Sequence, residues 1–310
     1  MRFVLLLLVP TLAAPGALAG DKAVARRIFR EILSGGNFTL AGELYAPDFV
    51  NHGRNRDVDL ATDQSAAREW KKAFPDLVVE PEVLVAEGDV VAAVWHASGT
   101  NTGSGNGIPA TGRRIEGRGI TFWRVAGGRV REEWSEFSQL ALLQQLGLVP
   151  GAGPIEPGSA RPLREERAAG TASEADRARN RALVARVLEE TLGSGRIALF
   201  GALYAKDFVN HGPTGDGGVQ DVMDQAVELR KLLPDLTVSV TRSIAEGNLV
   251  AVIYTARGTS TGTGHPAAGK RIQLRGMAVM SIEGGRIREQ WAVFDHQEQL
   301  GALTAPEGKR

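Results

Sequence analysis

Tyr45-Ala46-Pro47-Asp48-Phe49-Val50-Asn51-His52-Gly53 returns as Tyr204-Ala205-Lys206-Asp207-Phe208-Val209-Asn210-His211-Gly212, identical at eight of nine positions and 159 residues later. The offset holds downstream, where Pro75-Asp76-Leu77 becomes Pro234-Asp235-Leu236 and Ala86-Glu87-Gly88 becomes Ala245-Glu246-Gly247. After a two-residue deletion the register is 157. Gly127-Gly128-Arg129-Val130-Arg131-Glu132, with Trp134, then answers Gly284-Gly285-Arg286-Ile287-Arg288-Glu289, with Trp291. Solenoid units repeat every 20 to 50 residues or so, far less than this. The chain is a duplicated domain, and its two copies align it against itself.

Each copy follows one plan. It opens on a helix, with Val24, Ile28 and Ile32 at i, i+4 and i+8, matched by Val184, Leu188 and Leu192. Asp176 is a candidate N-cap for the second of these. The Phe-Val-Asn-His-Gly segment follows, then another helix, over 57–74 in the first copy and 219–233 in the second, closed by a proline. Only strand signal comes after: 77–86, 90–99, 114–125 and 129–137 are rich in β-branched and aromatic residues. Gly88-Asp89 and Gly127-Gly128 mark turns between them. Helices first and an antiparallel sheet afterwards predict an α+β fold in each copy. A curved sheet closed by those helices would enclose a pocket.

Residues 1–19 read as a secretory signal: basic Arg2, an apolar run from Phe3 to Val9, and Ala17-Leu18-Ala19 as a small-x-small cleavage site. The apolar run is shorter than the roughly 20 residues of a membrane span, and no other stretch is apolar enough. The expected product is a secreted or periplasmic protein with no membrane segment after cleavage. Domain 1 is expected over 20–148 and domain 2 over 176–305. A Pro/Gly-rich linker over 149–175 joins them, and a short tail covers 306–310. No cysteine is present, which removes disulfides, thiol catalysis and thiolate metal sites. With 36 basic and 36 acidic residues, the chain lacks the basic excess of a nucleic-acid binder.

Several motifs in order then carry a family resemblance. Gly99-Thr100-Asn101-Thr102-Gly103, Gly107-Ile108-Pro109-Ala110-Thr111-Gly112-Arg113, Gly128-Arg129-Val130-Arg131-Glu132-Glu133-Trp134 and Leu142-Leu143-Gln144-Gln145-Leu146-Gly147 resemble the SnoaL-like polyketide cyclases. That family lies in the nuclear transport factor 2 superfamily. The second copy resembles it through Gly258-Thr259-Ser260-Thr261-Gly262, Ala268-Gly269-Lys270-Arg271 and Gly285-Arg286-Ile287-Arg288-Glu289. The resemblance implies two cone-shaped α+β barrels, each around a mostly apolar cavity that takes a small apolar or aromatic ligand. It also implies aldol-type ring closure with no cofactor and no metal, through a carboxylate acting as general acid/base. Superfamily members often pair through sheet faces, which implies an intrachain pseudo-dimer or a homo-oligomer.

The departures from that pattern matter as much. The acid and its histidine helper in such cyclases fall on Ser135 and Thr121 here, and on Ala292 and Ala278 in the second copy. A looser pattern, His before the Trp and Asp four after it, meets Glu133 and Ser138, then Gln290 and Asp295. Only Asp295 survives from it.

Asn51-His52 and Asn210-His211 recur, so they are candidates to orient a carbonyl or shuttle a proton, or else to satisfy backbone groups at a turn. Asp295 follows Trp291 and Phe294, which suits an acid/base in an apolar wall or a helix N-cap. Glu133 is a candidate substitute carboxylate, although strand alternation groups it with Arg131 and Phe137 in what also reads as a solvated face. Arg118 and Arg275 recur mid-strand, facing either a ligand anion or the sheet surface. Trp134 and Trp291 read as core anchors or as ligand platforms. The expectation is therefore catalysis in domain 2 by Asp295, His211 and Asn210. Asn51, His52, Arg118, Trp134, Glu133, Arg275 and Trp291 are then the ligand-binding candidates. A binding protein that kept its cavity and lost the chemistry is the rival reading.

Overall fold

The structure is a computed structural model, and it describes residues 15–53, 56–150, 166–167, 169–212, 215–261 and 269–294. Domain 1 opens with α1 (Pro15–Arg27), which continues as a wider π-type turn over Ile28–Ser34 that buries Ile28, Phe29 and Ile32. A short turn of helix, α2 (Ala41–Leu44), leads into β1 (Tyr45–His52) and β2 (Asp57–Asp59), which precede α3 (Leu60–Ala73). The strands β3 (Val78–Glu87), β4 (Val90–Thr100), β5 (Arg114–Ala126) and β6 (Arg129–Phe137) then form a meander, closed by α4 (Gln139–Gln145).

Domain 2 repeats this order: α5 (Glu174–Arg186), α6 (Phe200–Leu203), β7 (Tyr204–His211), β8 (Asp216–Gly217), α7 (Val219–Leu232), β9 (Thr237–Glu246), β10 (Leu249–Thr259), β11 (Arg271–Glu283) and β12 (Arg286–Phe294). Its π-type turn covers Val187–Gly193, so Ile28 corresponds to Val187, and the register of 159 already holds in the opening helix. The match of Ile28 with Leu188 is one residue out.

Three local readings change. The segment 57–59 is strand, and the helix starts at Leu60 because the Asp59 carboxylate accepts from Thr62 N at 2.9 Å. Asp176 is not the N-cap of α5. Ser173 is, and Asp176 completes its capping box three residues on. The Phe-Val-Asn-His stretch is strand as well, and it pairs parallel to β6.

Each sheet has six strands, in the orders β2-β1-β6-β5-β4-β3 and β8-β7-β12-β11-β10-β9. The sheets are curved and do not close as barrels, since β2 and β3 are edges in the first, and β8 and β9 in the second. The helices cover the concave face instead. Tight turns shape the curve: Gly127 and Gly128 join β5 to β6 with φ of 62° and 73°, a region in which side chains with a Cβ are strained.

The convex faces of the two sheets pack on one another. Val83, Val85, Ala92, Val94, Ile120 and Phe122 share a buried apolar cluster with Ile244, Leu249, Ala251, Ile253, Met277 and Val279. Burying each large apolar side chain contributes about 1.5–3 kcal/mol, so this layer ties the copies firmly. Polar contacts at its edge are reciprocal. Ala86 N donates to Glu246 Oε2 at 2.7 Å, and Ala245 N donates to Glu87 Oε2 at 3.0 Å. Because Glu87 and Glu246 are equivalent residues, the contact is self-complementary about an approximate twofold. Most of the expected linker, 151–165, lies outside the described residues. Beyond it, Arg167 bridges to Val83.

Candidate active site

In domain 1 a cavity of about 320 Å³ opens between the concave face and the helices. Phe29, Trp70, Phe74, Trp95, Trp123 and Phe137 supply most of its apolar wall. One backbone feature makes room for this arrangement. Gly119 pairs with Trp95 across β4 and β5, and a Cβ at Gly119 would stand 2.1 Å from the indole Cζ2. Only glycine lets the Trp95 ring lie flat over the strand, where its Nε1 donates to Thr121 Oγ1 at 2.9 Å.

Glu133 and Asp63 face this apolar space, and a third carboxyl, Glu116, lines it beside Arg114 at 3.4 Å. Glu133, on β6, accepts from Trp123 Nε1 at 2.8 Å. Asp63, on α3, accepts from Asn51 Nδ2 at 2.7 Å and from Gln64 Nε2 at 3.2 Å. Burial pushes the Glu133 carboxyl up to about 8, the charge of Asp63 adds to the rise, and the Trp123 bond opposes it. Asp63 is also raised by burial, while the bonds from Asn51 and Gln64 pull it back by favouring the charged form. Burial and the same two carboxyls hold the Tyr45 phenol well above its ordinary range. Ser135 and Thr121, which stand where the family pattern has its acid and histidine, have their hydroxyls 2.8 Å apart.

Domain 2 differs at these positions. Glu133 becomes Gln290, Asp63 becomes Val222, Trp123 becomes Met280, Ser135 becomes Ala292 and Thr121 becomes Ala278. Gln290 donates to Asn210 Oδ1 at 3.3 Å and accepts from the Tyr204 hydroxyl at 3.4 Å, a closed neutral set. The inner apolar residues of domain 1 fall into two clusters. Among the described residues of domain 2, Tyr204, Tyr254 and Met280, at the places of Tyr45, Trp95 and Trp123, belong to one core.

Strand alternation decides where the sequence candidates stand. Asn51 and Glu133 line the cavity, whereas His52 and Trp134, each one residue further along, face the other domain. His52 stacks on Trp134 with ring centroids 4.6 Å apart, its ring nitrogens 3.1 Å from Asp57 and 3.3 Å from Glu132. His211 repeats this on Trp291 at 4.6 Å, with Asp216 and Glu289 at 3.1 and 3.4 Å. The expected approach of His52, His211, Trp134 and Trp291 to a ligand is thus replaced by packing between the sheets, where Trp291 is buried and Trp134 packs against the shared cluster.

The arginines also differ from a ligand-facing expectation. Arg118 Nε donates to Glu82 at 2.7 Å, and its Nη1 donates to Gly212 O, in domain 2, at 3.1 Å. Arg275 Nε donates to Glu136 at 2.7 Å, and its Nη1 to His52 O at 2.7 Å, both in domain 1. Both guanidiniums pin one copy to the other. The grouping of Glu133 with Arg131 and Phe137 holds, but that face is the inner one. Arg131 reaches the rim and pairs with Asp48 at 2.7 Å. Asp295 lies outside the described residues.

Asp63, Gln64, Trp123 and Tyr45 are absent from the sequence candidates. A signal existed for the first. Asp63, Ala67, Trp70 and Phe74 recur at i, i+4, i+7 and i+11, which sets a carboxylate on the apolar stripe of a helix. Among the described residues no three His, Asp or Glu side chains gather to hold a metal ion.

Comparisons with known proteins give a consistent picture. The SnoaL-like polyketide cyclase family model matches residues 23–146 and again 182–303. Among solved structures, AclR from Streptomyces galilaeus is 27% identical over 44% of this chain and 85% of its own, with a TM-score of 0.41. IdmH from Streptomyces antibioticus is 28% identical over 41% of this chain and 98% of its own, with a TM-score of 0.38. TsrD from Streptomyces laurentii is 25% identical over 42% of this chain and 97% of its own, with a TM-score of 0.39. No curated protein matches the chain. With the family model matched over both copies, the chain belongs to the SnoaL-like polyketide cyclase family.

Proposed function

We propose that this is an exported enzyme of cyclase or isomerase type, which moves a proton on a small, largely apolar carbonyl compound in the cavity of domain 1. The observation that carries this reading is the placement of two carboxyls, Glu133 and Asp63, in one aromatic-walled cavity with different hydrogen-bond partners. Environments that separate two carboxyls divide the labour between them. Glu133, with the higher pKa, holds a proton at neutral pH and gives it to the carbonyl oxygen. Asp63, raised by burial but drawn back by the bonds from Asn51 and Gln64, takes the proton from the adjacent carbon. The charge that develops stays between these groups and away from bulk water, where electrostatic stabilisation is strongest.

This moves the active copy from domain 2 to domain 1. Domain 2, with Gln290 and Val222 in place of the carboxyls, then acts as the structural half of an intrachain pseudo-dimer. Export rests on residues 1–19. Ala19 and Gly20 are exposed, and from there on the first buried side chains of α1 are Val24 and Ala25, so cleavage after Ala19 removes the start of α1 and keeps its packed part. Sequencing the N-terminus of secreted protein tests this, and an uncleaved Met1 in the extracellular fraction would refute it.

Catalysis is tested by incubating the protein with aromatic β-keto esters in heavy water and following deuterium at the α-carbon by mass spectrometry. Catalysed exchange that is lost in Glu133→Gln and in Asp63→Asn supports the assignment. Exchange unchanged in both variants overturns it. The Ser135–Thr121 hydroxyl contact, where the family pattern has its acid and histidine, favours the second reading of a binding protein. Tight binding of a keto ester without exchange is the outcome that selects it.

A further inference from the structure

The polar groups in the domain 1 cavity are unbalanced. Three of its N–H donors are already engaged: Asn51 Nδ2 by Asp63, Trp123 Nε1 by Glu133 and Trp95 Nε1 by Thr121. Acceptors remain in excess. Each carboxyl has lone pairs beyond the bonds named above. Gln64, 4% exposed and part of the cavity lining, has an Oε1 with no hydrogen-bond partner. A buried acceptor without a donor is destabilising, and a ligand N–H would relieve that cost.

Charge points the same way. Arg118 is the cationic residue in the lining, and its guanidinium is turned outward and engaged by Glu82 and Gly212 O. Glu133 and Asp63 therefore share an apolar cavity in which no described lining residue turns a cation towards them, while the third lining carboxyl, Glu116, pairs with Arg114 at 3.4 Å. Trp70, Trp95 and Trp123 present aromatic surface there, and indole faces attract cations. Domain 2 lacks both carboxyls and all three indoles at once, with Val222, Gln290, Leu229, Tyr254 and Met280 in the corresponding places.

We infer that the domain 1 cavity takes an aromatic ligand bearing a basic nitrogen, whose ammonium sits between Asp63 and Glu133 and donates to Gln64 Oε1. This rests on the reading of domain 1 as the functional copy and narrows its substrate to an amine-bearing carbonyl compound. With the Glu133 carboxyl pushed up to about 8 by burial, the pair carries at most one negative charge at neutral pH, which one ammonium matches. The carboxyl that keeps its proton remains free for proton transfer.

The test is calorimetric titration of the full chain with 2-(1-naphthyl)ethylamine, its neutral analogue 2-(1-naphthyl)ethanol, and 1-naphthylacetate at pH 7. The amine is expected to bind at least tenfold more tightly than the alcohol, and the carboxylate most weakly. In Glu133→Gln with Asp63→Asn, the preference for the amine over the alcohol should disappear. Gln290 shows that this fold accepts glutamine at the equivalent position, and circular dichroism will confirm folding of the variant. Equal binding of amine and alcohol by the unaltered protein overturns the amine inference and leaves the cavity as the ligand site. A tenfold preference that survives in the double variant also overturns it, because the nitrogen is then read elsewhere. If none of the three binds and no keto ester exchanges deuterium, both the inference and the reading it rests on fail.

Discussion

The indole of Trp123 donates to the Glu133 carboxylate at 2.8 Å from the directly opposite position on the neighbouring strand. This cross-strand pair aims the carboxyl into the cavity and fixes its orientation. Removing the acid without removing the acceptor isolates its protonic role. Glu133→Gln keeps an oxygen for Trp123 and is expected to lower exchange of a keto ester by about 10²–10⁴-fold, the usual worth of a positioned acid or base. In the unaltered protein the rate should fall as pH rises through about 8, where Glu133 loses its proton. A rate that keeps rising past pH 9 would assign Glu133 the opposite role.

Stability should carry the same signature. The Glu133 carboxyl titrates near 4.5 when unperturbed and near 8 in the folded chain. Between those values the unfolded chain releases a proton that the folded one keeps, so Glu133 lowers stability progressively as pH rises and has no further effect above about 8. Glu133→Gln should therefore match the parent near pH 4 and exceed it by about 1–3 kcal/mol at pH 8, the full shift being reduced by water in the cavity. Urea unfolding at pH 4, 6 and 8 checks both sign and window.

Gly119 is expected to tolerate no side chain. In Gly119→Ala the new methyl group meets the Trp95 ring, which must leave the strand and break its bond to Thr121. A cost of about 1–3 kcal/mol follows from overpacking, together with loss of naphthyl-ligand binding. A variant that melts at the parent temperature and binds normally would mean that Trp95 does not shape the cavity.

Arg275 should matter through its partner. Its side chain pairs with Glu136, which is 1% exposed, so Arg275→Ala removes a cation from beside a buried carboxyl. A loss of about 3 kcal/mol is expected in urea unfolding, whereas Arg275→Met with Glu136→Leu should recover most of it. A double variant as unstable as the single one would show that the pair is more than a satisfied charge.

Much of the fold was legible because strand and turn signals are local. The four meander strands fall within a residue or so of their expected bounds, since β-branched runs and Gly turns specify them directly. The parallel pairing of β1 with β6 was not legible, as nothing in Tyr45–His52 names a partner about 80 residues away. Looking for what both copies keep selected His52, His211, Arg118 and Arg275, and these hold the copies together. The carboxyls of the cavity are where the copies disagree, Glu133 against Gln290 and Asp63 against Val222.

The sequence by itself determined the duplication, the α+β plan of each copy and the membership of both in one family. Each of these depends on patterns of residue type along the chain, which folding preserves. The tertiary structure decided which face of each strand became cavity and which became contact between the copies. Alternation sorts Asn51 from His52 and Glu133 from Trp134, but it cannot tell inside from outside when both faces are buried. Packing the two convex sheets together settled that choice. It left Glu133 and Asp63 facing one enclosed space from elements far apart in the chain.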